Sequence, residues 1–105
     1  FSPEAAGRVI DASGRLDGRS EFDFAIEVNR TPDSADVYPI ALVSYHIVCL
    51  EYPDQETVDL VKGFLTYVGS EAGQAASAAS AGSAPISDEV RTEVLTSIDA
   101  ISVGS

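Results

Sequence analysis

Cations are scarce in this chain: six lysines and arginines stand against 17 aspartates and glutamates, a formal net charge of -11 over 105 residues. The few basic residues are scattered, so the chain lacks the basic patch that holds phosphate backbones, and nucleic acid and anionic membranes are excluded as partners. Cysteine and histidine occur once each, as Cys49 and His46. One cysteine excludes an internal disulfide and cannot by itself frame a zinc site. No glycine-rich phosphate loop is present, because Gly69, Gly73 and Gly82 punctuate helical patterns without the Lys-Ser/Thr such a loop needs. Nothing reads as a bilayer span. Phe1 is not an initiator methionine and follows no basic and apolar leader, so the sequence reads as a piece of a longer precursor.

What is present is an ordinary apolar content of 45%, enough for one modest domain. "SPEAAGRVIDASG" offers Ser2 as N-cap, Pro3 at the first helical position and Gly14 as a stop, which predicts a short helix. Asp17-Gly18 is turn chemistry, and "EFDFAIEVN" alternates Phe22, Phe24, Ile26 and Val28 with polar residues, predicting a strand with one wet face. After the polar loop 30–36 comes "VYPIALVSYHIVCL", Val37 to Leu50, with no charged residue apart from the single histidine. A run of β-branched and aromatic residues this apolar predicts a strand buried on both faces, with Val43, Tyr45, Ile47 and Cys49 on one and Leu42, Ser44, His46 and Val48 on the other. Asp54 then caps a helix with Val58, Val61, Leu65 and Val68 on one stripe. Ser70 caps an Ala/Ser-rich segment ending at Gly82, for which helix and flexible linker both stay open. Ser87 caps a last helix that turns Val90, Val94, Leu95, Ile98 and Ile101 inward.

Chemistry-bearing constellations are thin. In a strand Ser44 and His46 share a face while Cys49 points away, which rules out a local Cys-His dyad and leaves a Ser-His pair without an orienting carboxylate. A calcium-loop echo at Asp11, Ser13, Arg15 and Asp17 fails because a cation sits at a ligand position. Asp33, Asp36, Asp88, Glu89 and Glu93 read as caps and solvated faces. These residues give no catalytic, ligand-binding or metal site, no cofactor, and a non-enzyme; a small hydrolase built on Ser44 and His46 is the reading least supported.

The order of pieces from Val37 to Ile98, namely "YPI" opening a strand, "VKGFLTYV", "SEAGQ", "AGSAPIS" and "DEV", resembles the carboxy-terminal part of the PstS family of phosphate-binding proteins, in an actinobacterial style. The resemblance implies an α/β fold: the carboxy-terminal portion of a two-lobed periplasmic-binding-protein-like fold, with few strands and helices packed around a buried strand. It implies that 1–36 belongs to the second lobe (helix plus strand), that 37–44 is a lobe-crossing hinge strand, and that 45–105 is the carboxy-terminal part of the first lobe (strand plus three helices). It further implies a fragment of a high-affinity binding protein that delivers inorganic phosphate to the permease subunits of an ABC importer, extracytoplasmic and lipid-anchored in full-length form. The family's phosphate ligands lie upstream of the matching stretch, so no binding residue is carried over. The alternative is a free-standing interaction domain that pairs through an exposed strand edge. In either case the apolar run needs cover from the remainder of its own chain, from a second copy, or from its own flanking segments.

Overall fold

Four side chains start four helices. In the computed structural model, which describes residues 2–104, Ser2 accepts a hydrogen bond from the backbone N–H of Ala5 and opens α1 (Pro3–Asp11). Asp54 does the same for Thr57 and α2 (Gln55–Gly69). Ser70 does so for Gly73 and α3 (Glu71–Ala81), and Ser87 for Val90 and α4 (Asp88–Asp99). Each cap satisfies a donor that a helix start otherwise leaves orphaned. At the start of α1, Glu4 is held below the usual carboxylate range by the backbone N–H groups there, by the Ser2 hydroxyl and by Arg8 one turn on. The Ala/Ser-rich segment is therefore helix rather than linker, and it ends on Gly82 in the left-handed conformation.

The α2–α4 unit holds the core. Val58 and Leu65 of α2 meet Ile98 and Ile101, with Tyr52, Val61, Val94 and Leu95 packed around them. Arg91 fastens the unit from outside: its Nε donates to the carbonyl of Gly69 at 3.2 Å, and its guanidinium pairs with Asp88 and Glu71. Lys62 reaches from α2 to the carbonyls of Asp99 and Ile101 at 3.1 and 3.2 Å, closing the end of α4. The chain then forms a strand not foreseen in the sequence, Ser102–Val103, which pairs in parallel with Glu51–Tyr52.

The fold class is α/β, with helices beside two small two-stranded sheets. The expected strand over residues 21–29 is reduced to Ile26–Glu27, antiparallel to Gly14–Arg15. The cause is local: Asp23 accepts from the backbone N–H of Ala25 at 2.9 Å and from Arg19 Nε at 2.6 Å, while its own N–H donates to Ser20. An Asp side chain that satisfies nearby backbone in this way favours turn over ladder.

The larger correction is at Val37–Leu50, which forms no strand and is not buried. Leu42 is 95% exposed, Ile47 93% and Ile40 76%, and Cys49 is exposed where a buried thiol was expected. Tyr45, His46 and Val48 are exposed too, and Val43 is half-buried. A strand is a property of pairing, and among the described residues this run meets a neighbouring strand only at its end, where Leu50 accepts from the N–H of Ser102. The shape registers the missing cover. The radius of gyration is 15.0 Å against about 13 Å for a compact chain of this length. The accessible surface is 7057 Å² against roughly 5,600 Å².

Candidate functional site

The run Val37–Leu50 crosses the molecule as an extended segment tied down at intervals. At its start the N–H of Tyr38 donates to the carbonyl of Ala5 in α1. Arg30 Nη1 then donates to the carbonyls of Pro39 and Ala41, at 2.6 and 3.0 Å. In the middle, the Tyr45 hydroxyl accepts from the N–H of Ile26, and the His46 ring stands edge-on to Phe64 of α2 at 5.7 Å. At the end, the N–H of Cys49 donates to the Tyr52 hydroxyl. Between these ties, the N–H groups of residues 40–48 donate to nothing among the described residues.

Beneath the segment lies an open groove of about 680 Å³. Its walls are α1 (Val9, Ile10), residues 41–46 of the run, and the inward faces of α2 and α4 (Leu65, Val90, Val94). Val9 is the most buried large side chain, at 1%, yet it stands on this wall apart from the α2–α4 core. The groove floor is thus mostly apolar. On its rim Arg15 pairs with Glu93 and lies 4.2 Å over the ring of Phe24.

The sequence-level candidates for chemistry do not assemble. Ser44 and His46 side chains make no hydrogen bond among the described residues, and Cys49 faces solvent separately. The would-be calcium ligands are dispersed on structural tasks: Asp11 accepts from the hydroxyl of Ser87, Ser13 donates to the carbonyl of Val9, and Arg15 holds Glu93. Among the described residues no three His, Cys, Asp or Glu side chains converge to hold a metal ion. No described helix is long and apolar enough to cross a membrane. At each of the four capped helix starts the cap side chain accepts from one backbone N–H, that of Ala5, Thr57, Gly73 or Val90. What the sequence did not reveal is the role of Arg30, which read only as part of a polar loop; its position next to an uncharged run was the available signal.

Over 71 residues, 67% of its length, the chain is 39% identical to the phosphate-binding protein PstS3 of Mycobacterium bovis (strain BCG / Pasteur 1173P2). The same identity over the same length holds for the phosphate-binding protein PstS 3 of Mycobacterium tuberculosis (strain ATCC 25618 / H37Rv). In that stretch the chain is similar to PstS phosphate-binding proteins. The aligned part spans 18% of the length of these curated relatives. No family model matches the chain. No solved structure matches it.

Proposed function

We propose that the chain is a portion of a PstS-like binding protein for inorganic phosphate, one that contributes scaffold rather than ligands. The observation that carries this reading is the 39% identity over 71 residues to proteins named as phosphate-binding. On it, residues 1–36 belong to a second lobe, 37–44 to the hinge crossing and 45–105 to the first lobe. The uncharged run is then one member of a larger sheet whose other strands come from the rest of the protein, with helices covering both faces.

The same reading accounts for the missing site. A desolvated phosphate needs several converging donors, typically at helix starts. Here each cap takes one N–H of its helix start, and two of the arginines are committed to Glu93 and to Asp88. The whole protein is a non-enzymatic carrier that works outside the cytoplasm, anchored by lipid, and hands phosphate to an ABC permease.

Fragment complementation tests the proposal. Mixed with the amino-terminal part of M. tuberculosis PstS 3, the chain is expected to form a complex that binds inorganic phosphate by calorimetry, while the chain alone binds none. Tight phosphate binding by the isolated chain would defeat the scaffold assignment. Failure of the two pieces to associate would defeat the PstS-like assignment.

A further inference from the structure

The loop that joins strands Gly14–Arg15 and Ile26–Glu27 carries Asp17-Gly18, an exposed turn in which Gly18 takes φ +76°. That conformation favours glycine over any residue with a side chain, and a Cβ added there would have nothing within 4 Å. The peptide between the two residues is not fixed. Neither the Asp17 carbonyl nor the Gly18 N–H makes a hydrogen bond among the described residues, and the Asp17 carboxylate makes no hydrogen bond or ion pair among them. A free carboxyl group, an unhindered amide nitrogen and a peptide plane able to rotate therefore stand side by side.

The other aspartates lack this combination. Asp11, Asp54 and Asp59 accept hydrogen bonds from Ser87, Thr57 and Gln55. Asp23 and Asp88 hold Arg19 and Arg91. The N–H that follows Asp99 donates to the carbonyl of Ser97 at the end of α4. Asp33 and Asp36 share the loop 30–36, but they precede Ser34 and Val37, whose side chains crowd the attacking nitrogen.

We propose that Asp17 is a site of spontaneous succinimide formation and conversion to isoaspartate in the folded chain. The Gly18 nitrogen bonds to Cγ of Asp17. Its proton and one carboxyl oxygen depart, with one proton from solvent, as water, and a five-membered succinimide remains. Water then opens the ring. Attack at Cγ restores aspartate; attack at the main-chain carbonyl carbon of Asp17 leaves the chain running through Cβ and Cγ, an isoaspartate whose free carboxylate sits on Cα. Water is the only co-reactant, and neither mass nor formal charge changes overall. Proximity drives the first step, since nucleophile and acceptor are neighbours on one chain and need only a rotation to meet. The site rests on the turn alone and is independent of the phosphate reading.

Ageing the purified chain at neutral pH and body temperature tests it, with peptide mapping and with methyl transfer by a protein isoaspartyl methyltransferase as readouts. A species lighter by one water is expected, followed by isoaspartate at position 17 before any other aspartate. Asp17→Glu keeps the charge but would need a six-membered ring, and should lose the signal. Asp17→Asn, whose leaving group is ammonia, should reach isoaspartate sooner. The peptide Arg15–Ser20 sets the rate without a fold, and the folded chain should fall within about threefold of it, because an unbonded turn pays no opening cost. Absence of isoaspartate at position 17, its earlier appearance at Asp33, persistence of the signal in Asp17→Glu, or a folded-chain rate more than about tenfold below that of the peptide would each overturn the proposal.

Discussion

Gly73, in the first turn of α3, lies so close to Tyr67, near the end of α2, that an added Cβ would overlap the Tyr67 carbonyl oxygen and stand 2.8 Å from its carbonyl carbon. The turn between these helices is a single residue, Ser70, whose hydroxyl both donates to the Tyr67 carbonyl and accepts from the Gly73 N–H. Gly73→Ala is therefore expected to destabilise the chain by about 1–3 kcal/mol in urea melts, as overpacking does. Gly63, inside α2, has nothing within 4 Å of an added Cβ, and Gly63→Ala should stabilise by about 0.5–1 kcal/mol. The opposite signs separate steric need from helix propensity.

Asp54 commits both carboxylate oxygens to Thr57, accepting from its N–H at 2.8 Å and from its hydroxyl at 3.0 Å. Asp54→Ala should cost about 1 kcal/mol of stability, with Asp54→Asn recovering much of it. Denaturant midpoints measured side by side check the ranking.

Ile98 is 5% exposed, within the cluster that joins α2 to α4. Ile98→Ala should cost about 2–5 kcal/mol, a large share of the roughly 5–15 kcal/mol a small domain possesses. Leu60, on the outer face of α2 and largely exposed, should tolerate alanine within about 0.5 kcal/mol. Thermal melts of the two variants give the comparison.

Asp23 is held below the usual carboxylate range, chiefly by the N–H of Ala25 and next by Arg19. Its folded pKa is lower than its unfolded one, so its contribution is complete above about pH 3.9 and is lost as pH falls through the depressed folded value. Asp23→Asn should remove that part of the acid limb of a stability-against-pH curve. Carboxyl NMR titration of the folded chain should show Asp23 protonating below the ordinary aspartate range.

Much of the helical architecture was legible because its signals are local. Ser2, Asp54, Ser70 and Ser87 each carry a start, and Gly82 a stop, in side-chain chemistry that acts within three or four residues. The strands were not legible, for the reason that alternation records which residues would pack, not which chain segment stands alongside. Phe22 and Phe24 alternate properly, yet Asp23 between them holds a turn. The run Val37–Leu50 has the composition of a central strand and lies bare, since a neighbour is needed at every residue and Ser102 arrives only at its end. Arg30, which ties down the start of the run, was hidden because its partners are backbone carbonyls, which leave no mark in the side-chain pattern.

The parallel pair at Glu51 and Ser102 also sets an order of events. Its two halves are separated by roughly fifty residues, and drawing such a loop shut costs about 3–4 kcal/mol of chain entropy, far beyond what two ladder residues return. That pair cannot lead folding. Helices α2 and α4 must dock first, bringing Tyr52 and Ile101 together, and the ladder then zips at the end of the reaction. Amides of Ser102 and Gly104, though hydrogen-bonded, should consequently exchange with deuterium sooner than the hydrogen-bonded amides inside α2 and α4, opening and closing many times while the helices beside them stay shut.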